Sequence, residues 1–155
     1  MTSNFQLLEE ANKKHLPRIN ILCKDELAKV RLRPNINFII NMSDSDEGSG
    51  THWVALYISP DLRAYYMDSF GAICPKEIIA YLKPLKRKIA YSQTHIQNLS
   101  SDRCGFFSLA FLLYMNKRKK AQESYTETFE RFLKYFDLDE QEHNDNKLKK
   151  LYASL

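Results

Sequence analysis

The stretch Asp102-Arg103-Cys104-Gly105-Phe106-Phe107-Ser108-Leu109-Ala110-Phe111-Leu112-Leu113-Tyr114-Met115 changes character at a single residue. Before Cys104 runs a polar loop, Leu99 to Arg103. After it the chain is apolar up to Met115, interrupted mainly by Ser108. That run is too short to span a bilayer. It reads as a helix apolar on nearly all sides, and such a helix belongs in the middle of a domain. A cysteine opening it is placed to react, because backbone N–H groups at a helix N-terminus favour negative charge and lower a thiol pKa. The plain alternative is a cysteine packed among apolar neighbours, as most are.

Upstream, Asn35 to Asn41 and Thr51 to Ile58 read as strands. Ser59-Pro60-Asp61 is turn chemistry, and Leu62 to Asp68 reads as the returning strand of a hairpin. A three-residue loop there sets Ile58 against Leu62 and His52 directly opposite Asp68, on one face of the pair. A carboxylate so placed can accept the imidazole Nδ1–H and stabilise the imidazolium. A slip of one residue would put the two on opposite faces. Ser3 with Gln6 predicts a capping box and a helix from Asn4 to His15. Shorter helices are predicted over Asp25 to Val30 and Pro75 to Leu82, and amphipathic ones over Thr126 to Phe136 and Asn144 to Tyr152. Lys88 to Ser92 reads as a strand, with another extended piece near Ile96. Ser43 to Gly50 is an acidic loop expected to be exposed and mobile. Strands flanked by helices give an α+β class, a central mixed sheet packed against the Cys104 helix.

The length of 155 residues fits one domain, 1–155. Apolar residues at 44% and charged residues at 27% are those of an ordinary folded protein rather than a disordered one. Met1 to Phe5 lacks a basic segment followed by an apolar one, so no signal peptide is expected. Three cysteines, Cys23, Cys74 and Cys104, argue against a disulfide framework and fit a reducing, intracellular setting. No Cys/His spacing suggests zinc. The net charge of +4 is modest, but Lys83/Lys86/Arg87/Lys88, Lys117/Arg118/Lys119/Lys120 and Lys147/Lys149/Lys150 cluster. Such clusters are ordinarily solvated helix ends. Their functional reading is non-specific binding of DNA.

The four glycines, Gly48, Gly50, Gly71 and Gly105, all fall beside His52, Asp68 or Cys104. Gly105 would leave room for a substrate backbone. The Cys104 N–H, together with the Gln97 side chain, could stabilise a tetrahedral oxyanion. Each residue alone has a structural alternative: His52 a hydrogen-bonded strand residue, Asp68 a turn former. Cys23 and Cys74 are read as structural, and His15, His95 and His143 as surface or loop residues.

Gly50-Thr51-His52-Trp53, Asp68-Ser69-Phe70-Gly71 and Gln97 through Phe107 together resemble the adenain-like and ubiquitin-like-protein-specific cysteine proteases. That family reads His-Trp, an acidic residue, Gln and Cys-Gly in this order. The resemblance implies His52 as general base, Asp68 as its orienter, Gln97 in the oxyanion hole and Cys104 as nucleophile. It places Trp53 and Gly105 in the substrate site, with Trp53 narrowing a channel that favours cleavage after glycine. Adenain has a glutamate followed by proline where this chain has Asp68-Ser69, and the aspartate matches the ubiquitin-like-protein-specific branch instead. No cysteine between Cys74 and Cys104 could carry a disulfide-linked activating peptide. The Gly-Thr-His-Trp context resembles versions encoded by DNA viruses, virophages and Polinton-type elements, where the implied task is cleavage of capsid and scaffold precursors in the virion and infected cell, cytoplasm or nucleus. The expected enzyme is a monomer off the membrane, needing no metal or other cofactor, with DNA open as an activator. Rival readings are an isopeptidase acting on ubiquitin-like modifiers and a non-enzymatic, DNA-associated structural protein.

Overall fold

The computed structural model describes residues 2–46 and 52–155. Gly48, Gly50 and Thr51, which the sequence reading drew on, lie outside them. Among the described residues, five strands form one mixed sheet in the order β1-β2-β3-β4-β5. These are β1 (Ile19–Cys23), β2 (Ile36–Asn41), β3 (Trp53–Ile58), β4 (Ala64–Met67) and β5 (Ala90–Tyr91). β1 is parallel to β2, the β2–β3 and β3–β4 pairs are antiparallel, and β4 is parallel to β5. Five α-helices accompany the sheet: α1 (Asn4–Lys13), α2 (Lys76–Leu82), α3 (Cys104–Lys117), α4 (Tyr125–Lys134) and α5 (Asn144–Ser154).

β2, β3 and β4 are buried along their whole length because the sheet has protein on both faces. Alternation then sorts their side chains. Trp53, Ala55, Tyr57, Tyr65 and Met67 turn toward the core built on α3, with Phe129 and Phe132 of α4 and Leu148 of α5. Val54, Leu56, Ile58, Phe38, Ile40 and Tyr66 turn to the other face, which Ile78 and Leu82 of α2 cover. Eleven residues of α3 are buried, from Cys104 to Met115 with Phe106 left out. The central apolar helix starting at Cys104 is therefore as the sequence predicts. Among the described residues, no helix is long and apolar enough to cross a membrane.

Local chemistry explains most element ends. Ser3 Oγ accepts the Gln6 N–H at 3.2 Å and Gln6 Oε1 accepts the Ser3 N–H at 2.9 Å, the expected capping box. Ser124 and Glu127 form the same box on α4. β1 is a strand the sequence reading did not assign. Asp25 to Val30 is a 3-10 turn over Lys24–Lys29 rather than an α-helix. The first residues of the acidic loop make side-chain contacts of their own. The Ser45 N–H and hydroxyl both donate to Asp25, and Lys24 meets Asp44 at 2.7 Å.

The hairpin differs from expectation by one residue pair. Its loop is Pro60-Asp61-Leu62, because Leu62 adopts φ +63° and lets Ser59 close on Arg63, with the Ser59 N–H to Arg63 O at 2.9 Å. Ala55 then faces Met67 and Ile58 faces Ala64. His52 and Asp68 are therefore diagonal rather than directly opposite. The displacement moves the pairing by two positions and so keeps face parity.

Gly71 closes the turn after Asp68, with φ +69° and its N–H on Asp68 O at 2.8 Å. A Cβ there would stand 3.0 Å from the backbone of Thr94, which cannot move aside as a side chain could. Gly71→Ala is expected to cost about 1–3 kcal/mol, from left-handed strain and overpacking together. Chemical denaturation measures it, and an unchanged midpoint would contradict it.

Candidate active site

β3 begins and β4 ends at the same end of the sheet, and α3 starts beside them. That puts His52, Asp68 and Cys104 together. His52 Nε2 lies 2.8 Å from Asp68 Oδ1. The contact uses Nε2, not the expected Nδ1. Nδ1 is buried and makes no hydrogen bond of ordinary geometry among the described residues. Asp68 is 1% exposed. Its Oδ1 also accepts the Phe70 N–H at 2.9 Å, and its own N–H donates to Ser92 Oγ at 2.9 Å.

Trp53 holds the start of α3 with both backbone groups. Its N–H donates to Cys104 Sγ at 3.4 Å, and its carbonyl accepts the Ser108 hydroxyl at 3.4 Å. Ser108, the polar break in the apolar run, thus has a definite task. The indole Nε1–H donates to Thr2 O at 3.2 Å, and Trp53 is 6% exposed. The space left by Gly105 is taken by Leu7 and by Trp53 Cδ1, 3.1–3.3 Å from where a Cβ would lie. The room expected there for substrate is filled by the protein itself.

The electrostatics couple histidine and cysteine. Burial works against a charged imidazole, but Asp68 and the Cys104 thiol outweigh it and push His52 up to about 9. Burial also works against a thiolate, yet His52 and the Trp53 and Gly105 amides hold Cys104 below the usual thiol range. Cys74 shows the contrast: burial alone pushes its thiol up to about 12. All three cysteines are free.

Gln97 is fully buried in a loop fastened from two sides. Ser69 O accepts the N–H groups of both Ile96 and Gln97, at 2.9 and 3.0 Å, and Ser69 Oγ donates to Gln97 Oε1 at 2.5 Å. Gln97 Nε2 donates one hydrogen to Ser101 O at 2.9 Å. From the other side, Gln141 Nε2 donates to His95 O and Asn144 Nδ2 to Ile96 O, both at 2.7 Å. Ser101 Oγ donates to Asp145 at 2.9 Å. Ser69 and Phe70 entered the sequence reading only as part of the Asp68 motif, with no role of their own, and Asn144 was not singled out. Phe70 and Ser69 adjoin Asp68, which was the available signal. His95 is less isolated than expected, since its ring meets Phe70 edge-on at 5.3 Å.

A cleft of about 450 Å³ opens between α1 and Asp102, Arg103 and Phe106, and none of His52, Asp68, Gln97 or Cys104 lines it. Part of one basic cluster has structural work. Lys117 Nζ donates to Lys14 O and Leu155 O at 2.7 Å, and Arg118 donates to Ser154 O. These carbonyls lie at the C-terminal ends of α1 and α5, where cations are favoured.

No protein-family model matches the sequence, and no curated protein resembles it closely enough in sequence to match. The fold does have counterparts. The African swine fever virus pS273R protease aligns with TM-score 0.60 and 18% identity over 94% of this chain and 65% of that one. Its selenomethionine form gives 0.58 and 18% over 95% and 66%. This chain therefore spans somewhat less than two thirds of that protease. The central domain of Lpg1148 from Legionella pneumophila aligns more loosely, at 0.46 and 16% over 88% and 85%. The chain has the α+β fold of a viral cysteine protease.

The upward shift of His52 fixes the sign of a pH effect. Folding stability gained from the imidazolium is fully present below the ordinary 6.5 and is lost as pH rises through about 9. An NMR titration of the His52 ring is expected to show a midpoint near 9, moved down in Asp68→Asn. A midpoint that ignores Asp68→Asn would mean the carboxylate does not hold the charge.

Proposed function

We propose that this chain is a cysteine protease. The observation that carries the reading is the coupled trio: Asp68 on His52 Nε2 at 2.8 Å, a raised imidazole and a lowered Cys104 thiol. A buried histidine and cysteine that stabilise each other's charged forms make a thiol that gives its proton readily to the imidazole. Plain packing does not require that.

In this reading His52 takes the Cys104 proton on Nδ1, and Asp68 holds the resulting imidazolium through Nε2. The thiolate attacks the scissile carbonyl carbon. The new oxyanion is met by the Cys104 N–H at the head of α3 and by the Gln97 Nε2 hydrogen not given to Ser101. His52 then passes its proton to the leaving amine, and water, deprotonated by His52, releases the acyl group. The buried Ser69–Gln97–Ser101 chain supports the oxyanion role, because it fixes which way the amide faces.

We further propose that the substrates are capsid and scaffold precursors of a DNA virus or related element, cut after glycine while particles mature in the infected cell. The fold of the pS273R protease and the firmly held Trp53 beside the nucleophile support this reading. DNA as an activator rests on the basic clusters, of which Lys83, Lys86, Arg87 and Lys88 form the one nearest β5 in sequence.

The test is mass spectrometry of candidate capsid precursors and ubiquitin-like precursors, each co-expressed with the wild type and with Cys104→Ala. Wild-type cleavage of capsid precursors that Cys104→Ala abolishes is expected. Persistent cleavage in that variant would remove Cys104 from the chemistry, and cleavage confined to ubiquitin-like precursors would favour the isopeptidase. Gln97→Ala is expected to lower turnover about 10²–10³-fold, as loss of one oxyanion donor does.

A further inference from the structure

Phe70 takes no step in this chemistry, yet its backbone and its ring both touch the residues that do. Its N–H donates to Asp68 Oδ1 at 2.9 Å, the same oxygen that meets His52 Nε2. Its ring lies against the imidazole, with centroids 5.0 Å apart and planes inclined by 34°. The same ring meets His95 edge-on at 5.3 Å. The turn at Gly71 follows directly, packed against the Thr94 backbone. Phe70 is thus bracketed by the loop that carries His95, Ile96 and Gln97.

We propose that Phe70 is a positioning residue for the nucleophile pair: its ring covers the His52–Asp68 hydrogen bond and holds the imidazole plane, which leaves Nδ1, without a hydrogen-bond partner among the described residues, available to the Cys104 proton. The inference rests on the cysteine protease reading. Its physical basis has two parts. A charge-assisted hydrogen bond is stronger where water is kept from it. An aromatic face against an imidazolium is also attractive and selects a ring orientation, which an aliphatic side chain of similar volume does not. The titratable groups around the imidazole are Asp68 and Cys104 in contact with it, and His95 across the Phe70 ring. The backbone N–H to Asp68 survives any substitution except proline, so variants at Phe70 isolate the ring.

The probe is iodoacetamide, which needs no knowledge of the natural substrate. The rate of Cys104 alkylation is followed by peptide mass mapping from mildly acidic to mildly alkaline pH. In Phe70→Leu the acid limb is expected to move up by about one pH unit, so that alkylation at a fixed mildly acidic pH slows about tenfold. Phe70→Tyr keeps the ring and is expected to stay within about twofold of wild type. A folded Phe70→Leu protein with an unshifted limb overturns the proposal. If Phe70→Leu does not fold, Phe70→Tyr decides: retained reactivity supports the ring's role, and a tenfold loss in a folded protein overturns it. His52→Ala separates the two levels. If it leaves Cys104 alkylation unchanged, the nucleophile pair itself is wrong and Phe70 has nothing to position. If it slows alkylation while Phe70→Leu does not, the pair stands and the Phe70 inference alone fails.

Discussion

Asp68 is a carboxylate taken almost wholly out of water, and the site is organised around that fact. A buried charge without partners costs several kcal/mol, so its neighbours must supply hydrogen bonds or a countercharge. The Phe70 N–H supplies one bond and His52 the other, both at Oδ1. The imidazole is then most favourable when charged, and a thiol at the head of an apolar helix becomes its natural counterion. One desolvated group thereby sets the state of two others. Its position at the end of β4 explains why the turn behind it is so constrained.

The sheet makes that placement rigid. Strands covered on both faces cannot slip by a residue without reversing two cores at once. The distance between the start of β3 and the end of β4 is therefore fixed by packing far from the site. α3 is held to β3 by more than apolar contact, because the N–H and C=O of Trp53 are both engaged by α3 side chains. The cysteine is thus located by a peptide group, which has far less freedom than a side chain.

Cys104, His52, Asp68 and Gln97 could be singled out as candidates because each stands at a change of local character. A polar loop becomes an apolar helix, strands meet turns, and Gln97 stands just ahead of the polar loop. What escaped notice had weaker local signals. β1 is short, and its apolar residues go to both faces, Ile19 and Ile21 to one and Leu22 to the other, which blurs the alternation over so few positions. The hairpin loop was misplaced because a leucine, not a glycine or asparagine, adopts the left-handed conformation at Leu62. Which imidazole nitrogen meets Asp68 depends on how the chain enters β3, and no residue pattern encodes that. The basic run Lys117 to Lys120 reads as one patch, yet Lys117 and Arg118 turn back onto helix ends that are distant in sequence. Long-range capping of this kind is invisible to any window along the chain.

The loop bearing Gln97 is fastened on one side by Ser69, made early, and on the other by Gln141, Asn144 and Asp145, made late. During synthesis the cysteine, the histidine and the aspartate all leave the ribosome before that second anchor exists. The anchor follows Cys104 by about 40 positions, a lag of roughly 2–8 s at ordinary translation rates of about 5–20 residues per second. For that interval the growing chain carries Cys104 and His52 while the loop bearing Gln97 can be held from the Ser69 side only. The architecture thus ties the last-made helix to a loop that lies ahead of Cys104, so that loop is fully held only once α5 has been made.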